Sequence, residues 1–242
     1  MIRVLVNGAK GKMGQEAVQA IQQDPDLELV GQTDLGDDLS AVIASSRAQV
    51  VVDFTTASVA FHNTRKIIES GACPVIGTSG LLPEQVQELQ HLAGQKKLGG
   101  LIAPNFAIGA VLMMKFAKEA SRYFPEAEII ELHHNRKADA PSGTAVKTAA
   151  MIAENRNRMP QKLEEKELLA GARGANAQGV PIHSVRLPGL VAHQEVIFGG
   201  NNEILTIRHD SLHRSSFMQG VCLACKKVQV LKELVYGLEH LL

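Results

Sequence analysis

The 242-residue sequence predicts an α/β chain in two parts. An open parallel sheet wound with helices comes first. A smaller α+β domain with a mixed or antiparallel sheet follows. Three observations carry this expectation. Short apolar runs alternate with helical patterns through residue 105, the mark of strands joined by crossover helices. One run, Gln49-Val50-Val51-Val52-Asp53-Phe54, is apolar without alternation, as a strand covered on both faces must be. From His183 onward the pattern turns to alternation around Gly199-Gly200-Asn201-Asn202, a hairpin signal.

Taken in order, Ile2–Asn7 reads as a strand. Gly8-Ala9-Lys10-Gly11-Lys12-Met13-Gly14 follows, then a helical pattern through Ala17, Val18 and Ile21. Strand, glycine loop, helix is the context of a Rossmann-like dinucleotide site. Glycines let the backbone approach a pyrophosphate, and free N–H groups at the helix start receive its charge. The spacing is G-x-x-G-x-x-G rather than G-x-G-x-x-G, so alone it fits a tight turn as well. Leu27–Asp34 reads as a second strand ending in an acid 20 residues after Gly14. That carboxylate can accept hydrogen bonds from the adenosine ribose or simply cap a turn. It repels a 2′-phosphate, and Leu35 rather than arginine follows, yet Lys10 and Lys12 in the glycine loop can attract one, so NADH preference with some NADPH use is expected.

Thr55–Ser58 opens the next helix, with Ser58 as its N-cap and Gly71 closing it. Cys73–Gly80 is a strand with a small-residue end, and Pro83 starts another helix. Leu98–Ala103 is a strand that ends at Pro104-Asn105-Phe106. Gly8, Asp34, Thr55, Gly77 and Asn105 all fall at strand C-terminal ends, where open parallel sheets bind ligands.

Ile108–Phe124 is an amphipathic helix stopped by Pro125, with Met113, Met114, Phe116 and Ala117 in the core. Ala127–Ile130 is a strand. Glu131–Ala145 then crosses a loop and enters a helix at Gly143-Thr144. Asn155–Gly179 reads as a loop with one helical turn around 164–170. Strands follow at 183–187, 193–198 and 203–209, with Val185, Leu187, Val196, Phe198, Leu205 and Ile207 on one buried face. Arg214–Leu238 is a final helix. The expected division is 1–105 for the dinucleotide, 106–212 for substrate and oligomerisation, and 213–242 returning to the first domain.

The chemistry concentrates in the 131–145 loop. Gly143 and Thr144 sit where a helix start can hold a carboxylate. Lys137 supplies a cation and His134 a donor. His133 suits proton donation, because imidazole titrates near neutrality. Together they fit a small dicarboxylate carrying a double bond to be reduced. No metal is expected: adjacent strand histidines point apart, and no spaced third ligand accompanies them. Cys222 and Cys225 form a single C-x-x-C on a helix and read as buried thiols. Ser142 lacks a base and serves the turn, as Asp139 and Pro141 do.

Composition bounds the partners. Hydrophobic residues make up 45% and aromatics 4%, with no tryptophan, so the core is aliphatic. Lys+Arg and Asp+Glu balance at 25 each, giving no global field for nucleic acid or membrane. No apolar run reaches the length of a membrane helix. The chain enters a strand at once, leaving no room for a signal peptide. Three cysteines do not make a disulfide framework. A cytoplasmic protein is expected.

The stretch E-L-H-H-N-R-K-A-D-A-P-S-G-T-A (Glu131–Ala145) resembles the signature of the dihydrodipicolinate reductases of lysine biosynthesis. G-A-K-G-K-M-G at 8–14, G-T-S-G at 77–80 and P-N-F at 104–106 resemble the same family. The resemblance implies reduction of 4-hydroxy-tetrahydrodipicolinate to tetrahydrodipicolinate by NADH and/or NADPH, with loss of water. It implies His133 as general acid, Lys137 assisting proton transfer, and His134, Gly143 and Thr144 on the substrate carboxylates. Cofactor contacts would come from Gly8, Ala9, Lys10, Gly11, Lys12, Met13, Asp34, Gly77, Thr78, Ser79, Ala103, Pro104, Asn105 and Phe106. It also implies a homotetramer. Two alternatives stand beside it. One is another small-substrate NAD(P)-dependent dehydrogenase, which leaves the H-H-x-x-K loop unexplained. The other is a non-catalytic dinucleotide sensor, which has no use for Lys137.

Overall fold

A computed structural model describes residues 1–159 and 166–242. The chain forms two compact units, Met1–Ile108 with Arg214–Leu242, and Gly109–His213.

The first unit opens with β1 (Ile2–Asn7), α1 (Lys12–Gln23) and β2 (Leu27–Thr33). Next come α2 (Leu39–Ser46), β3 (Val50–Asp53) and α3 (Ala57–Glu69). It continues through β4 (Cys73–Ile76), α4 (Pro83–Lys96) and β5 (Gly100–Ile102). Helix α2 has no counterpart in the sequence reading. It is two turns long, and the Asp38 side chain caps it by accepting from Ala41 N–H at 3.2 Å. At α3 the N-cap position belongs to Thr56, not Ser58. Neither hydroxyl caps the helix, and the two share a hydrogen bond at 3.1 Å. The core is aliphatic, with Leu5, Val51, Ile67, Ile76, Leu89 and Leu234 among its buried residues.

The second unit is led by α5 (Ile108–Ala120), which stops short of Pro125 in a turn closed by Phe124 N–H on Ala120 O at 3.0 Å. Met113, Met114 and Ala117 are buried as expected, but Phe116 is 56% exposed on the outer side of the helix. Strand β6 (Glu126–His133) runs three residues beyond the expected end, carrying Glu131 and His133 on the sheet itself. After α6 (Gly143–Asn155) come β7 (Ala175–Ala177), β8 (Val180–Arg186), β9 (Ala192–Gly200) and β10 (Glu203–Ser211). Strand β7 lies in the stretch expected to be loop. Of the turn expected around 164–170, residues 164 and 165 lie outside the described residues, and 166–170 form no helix.

The second sheet is ordered β10-β9-β6-β8-β7; only the β6–β8 pair is parallel. Register places Ile129, Ile182 and Val196 side by side on the face under α6, with Phe198 beside them. Leu205 and Ile207 pair with Phe198 and Val196 and share that face. Val185 does not: it pairs with Leu132 on the opposite face, and Leu187 lies past the strand end, 54% exposed. The alternation of β8 misleads because its inner position near the strand end holds Arg186, which faces a buried acid.

The C-terminal segment is not one helix. A 3₁₀ turn (Arg214–Phe217) leads into α7 (Met218–Lys227), and a second 3₁₀ turn (Val228–Val230) follows. The chain then extends into β11 (Leu234–Tyr236) and ends in a third 3₁₀ turn (Leu238–Leu241). Strand β11 pairs parallel with β5, completing a six-stranded parallel sheet in the order β11-β5-β4-β3-β1-β2. Strand order reverses beside β1, which has β2 on one side and β3 on the other. A nucleotide crevice opens at the C-terminal end of such a switch point.

Candidate active site

The glycine loop occupies that switch point. Gly8 has φ +80, and a β-carbon on it would lie 2.5 Å from Phe54 O in the β3–α3 connection. A β-carbon on Gly14 would lie 2.0 Å from Gly8 O, so α1 packs against its own loop there. Helix α1 starts at Lys12 with Gly11 as N-cap, and no side chain caps it. An uncapped helix start behind a glycine turn fits a pyrophosphate. Lys10 and Lys12 are exposed beside it, Met13 is partly buried, and Ala9 is buried.

Asp34 follows β2. Its carboxylate accepts from Leu35 N–H and Lys10 N–H, both at 2.8 Å. These backbone bonds hold its carboxyl below the usual range. It is therefore a partly exposed anion braced on the glycine loop, with further lone pairs for ribose hydroxyls. Leu35 beside it is 97% exposed and offers no charge to a 2′-phosphate.

The remaining expected cofactor residues divide by orientation. The Thr78 hydroxyl donates to Asp53 Oδ1 at 2.5 Å and accepts from Thr55 N–H at 2.8 Å. It faces inward and shapes the turn, while Ser79 is exposed. Fully buried Asp53 also accepts from Asn7 Nδ2 at 2.7 Å and Thr55 Oγ1 at 2.8 Å. That polar knot joins the ends of β1, β3 and β4, and the sequence reading did not find it. Phe54 lies over Gly77, where a β-carbon would come within 2.1 Å of its ring. Phe106 stacks edge-on to Phe54 with centroids 5.9 Å apart. Ala103 and Phe106 are buried, whereas Pro104 is exposed and Asn105 partly so. The Asn105 Oδ1 accepts from Ala107 N–H at 2.8 Å, which shapes this turn.

In the second unit the loop between β6 and α6 gathers the expected groups. His133 ends β6. Its Nδ1 donates to Glu131 Oε2 at 2.5 Å. Burial pushes this imidazole down; the hydrogen bond and charge of Glu131 push it up, and Lys137 and Arg186 push it down again, with a net lowering. Lys137 donates to both oxygens of Asp139 at 2.7 Å. Asp139 is thus an ion-pair partner rather than a cap. His134 Nδ1 is buried without a hydrogen-bond partner among the described residues. Ser142 caps α6, accepting from Ala145 N–H at 3.2 Å. A β-carbon on Gly143 would meet no atom within 4 Å, so the helix start is open at that point.

Two site residues were missed. Glu131 belongs to the motif but carries no role in the sequence expectation, and Arg186 lies outside it. Burial raises the Glu131 carboxyl, but hydrogen bonds from Arg186, Ser184 and His133 outweigh it and hold the group below the usual range. Arg186 grips both its oxygens, at 2.8 and 2.7 Å. The signal was available as E-x-H: residues two apart on a strand share a face.

Cys225 is buried and its thiol is pushed up by burial; Cys222 is pushed up to about 11 by the same cause. Neither resembles a reactive thiolate.

The family model "Dihydrodipicolinate reductase, N-terminus" matches residues 2–106, and "Dihydrodipicolinate reductase, C-terminus" matches 109–242. The 4-hydroxy-tetrahydrodipicolinate reductases of Streptococcus gordonii and Streptococcus sanguinis are each 56% identical to the chain, covering 100% of it and 99% of their own length. A dipicolinate-bound dihydrodipicolinate reductase from Paenisporosarcina sp. TG-14 superposes with TM-score 0.91 at 48% identity, over 100% of both chains. An amine dehydrogenase from Mycobacterium smegmatis shares the fold alone, at TM-score 0.66 and 13% identity over 97% of this chain and 94% of its own. Matched by both halves of the family model and by full-length relatives at this identity, the chain belongs to the dihydrodipicolinate reductase family.

Proposed function

We propose that this protein reduces 4-hydroxy-tetrahydrodipicolinate to tetrahydrodipicolinate, on the route to diaminopimelate and lysine. The observation that carries the reading is the 133–144 loop. It joins two imidazoles, an ammonium and an open helix start within one turn of chain. The balance is one substrate, one reduced nicotinamide dinucleotide and one proton in; product, oxidised dinucleotide and water out. When bound, the dinucleotide supplies the hydride. The chain's own residues do the rest.

Gly8 to Met13 would hold the pyrophosphate, and Asp34 the adenosine ribose. Gly77 to Ser79 and Ala103 to Phe106 would line the nicotinamide end. Backbone N–H groups at Gly143 and Thr144, with the His134 ring, would take the substrate carboxylates. A carboxylate can draw Lys137 from Asp139 at small cost, since Asp139 is largely exposed and such pairs are worth about 0–1 kcal/mol. His133 would deliver the proton from Nε2, as Nδ1 is engaged by Glu131. The dipicolinate-bound relative supports a small ring dicarboxylate as ligand.

A homotetramer and a cytoplasmic location belong to the same proposal. The outer face of the second sheet supports the first: Ile130, Leu132, Val185 and Ile197 are only half-buried there, and Ile204 is 75% exposed. A monomer by sedimentation equilibrium would refute it. No helix among the described residues is long and apolar enough to cross a membrane.

The test is a coupled assay. Pyruvate, aspartate semialdehyde and the upstream synthase are mixed with the protein and NADH or NADPH, and cofactor absorbance is followed. Turnover should appear only with the synthase present. His133→Ala should lower it by about 10²–10⁴-fold with NADH binding intact. No synthase-dependent oxidation with either cofactor refutes the assignment.

A further inference from the structure

We infer that Glu131, clamped by Arg186, is a positioning residue that fixes the tautomer and aim of His133. This rests on the reading of His133 as proton donor and goes one residue deeper.

Glu131 is fully buried on β6, two residues before His133 and on the same face. Oε2 takes His133 Nδ1–H at 2.5 Å and Arg186 Nη1–H at 2.8 Å. Oε1 takes Arg186 Nη2–H at 2.7 Å and Ser142 N–H at 3.1 Å. A bidentate guanidinium keeps a buried carboxylate charged and stops it rotating. An anionic acceptor at Nδ1 requires a proton there in every state of the ring. The proton that leaves the imidazolium must then come from Nε2. Its departure yields the neutral Nδ1–H tautomer, already hydrogen-bonded to Glu131, so neither ring nor acceptor has to turn.

The charged groups facing His133 are Glu131 on its own strand, Arg186 on β8, and Lys137 in the following loop. Among the described residues, Glu131 alone opposes loss of the ring proton. The two cations and burial favour it. Removing the carboxylate charge therefore leaves the imidazole harder to protonate and free to adopt either tautomer. Arg186 also donates to Asp139 O at 2.8 Å. A purely structural role, holding the loop, is the competing account and predicts different readouts.

The test is Glu131→Gln, near in size but uncharged. We expect kcat to fall by roughly 10–10²-fold with the KM for NADH unchanged. The limb of the kcat–pH profile on which His133 deprotonates should move to lower pH. The ¹⁵N signals of the ring, assigned as those lost in His133→Ala, should change from a single Nδ1–H tautomer to a mixture. If kcat, pH limb and tautomer all stay at wild-type values, the inference fails, even if thermal stability drops. Should Glu131→Gln not fold, Glu131→Asp replaces it: drawing the carboxylate back from Nδ1 should move the same readouts in the same directions. An Nε2–H tautomer in the wild-type protein overturns the inference without any variant. Full activity of His133→Ala would instead defeat the proton-donor reading beneath it.

Discussion

Gly8→Ala probes the cofactor cradle with a magnitude that can be built from geometry. Gly8 sits at φ +80, a conformation that costs a residue with a β-carbon about 1–2 kcal/mol. The new methyl would also lie 2.5 Å from Phe54 O, 2.8 Å from Phe54 C and 3.1 Å from Thr55 N. All three are backbone atoms, so no side chain can swing aside. Reaching ordinary contact requires the loop or the β3–α3 connection to move by roughly 1 Å. Overpacking of this kind costs about 1–3 kcal/mol. The two costs together approach 2–5 kcal/mol, a large part of a typical domain's stability. Tm should fall by roughly 5–15 °C.

Gly71→Ala is the matched control. Gly71 has φ +79 but nothing within 4 Å of its would-be β-carbon. It should show the backbone cost alone and leave the cofactor site unaffected. Scanning calorimetry gives both Tm values. Titration of NADH fluorescence should show Gly8→Ala weakened by about tenfold or more, equivalent to about 1.4 kcal/mol, and Gly71→Ala unchanged. If the two variants match in Tm and in NADH affinity, contact between Gly8 and the 54–55 backbone is not what shapes the cradle.

Other perturbations test the proposed cofactor and substrate residues separately. Gly143→Ala meets no atom, so stability should stay within about 0.5 kcal/mol. On the proposed placement its methyl would crowd a substrate carboxylate, and calorimetric titration with pyridine-2,6-dicarboxylate should show weaker binding. Asp34→Ala should weaken NADH more than NADPH in fluorescence titrations; equal affinities before and after would remove Asp34 from the ribose. Stability should decline with acid in two stages, read by denaturant titration. His133 and His209 are lowered by burial, so their neutral forms are favoured on folding, and that contribution is lost as pH falls below about 6.5. Glu131, Glu128 and Asp210 are also lowered, each stabilising above its unfolded value, so a steeper loss is expected below about pH 4.5. A flat profile from pH 7 to 5 would contradict the first stage, and one flat from pH 5 to 3 the second.

Most of the first unit could be read from the chain because its signals are local. Gly8–Gly14, Gly71 and Pro83 punctuate elements at positions where backbone geometry demands those residues. Strand β11 could not be read that way. It is three residues long, and what makes it a strand is the open edge of β5, over 130 positions earlier in the chain. Short α2 escaped for a related reason: Leu39–Ser46 has little amphipathic pattern, and its clearest marker is the Asp38 cap.

In the second unit the errors and the site share one cause. Period-two reading assumes that the inner face of a strand is apolar. On β8 the inner face ends in Arg186; on β6 it carries Glu131, and the pair are hydrogen-bonded across the parallel ladder. Each polar residue looks like a solvent-facing position until the other is known to oppose it. That mutual dependence turned Val185 to the wrong face and hid Arg186. It follows that strand alternation is least informative beside a buried charged pair. A strand whose pattern inverts next to a loop rich in histidine and lysine is therefore itself a pointer to the site. Here the inversion at Val185–Arg186 marks the residue that, through Glu131, holds His133.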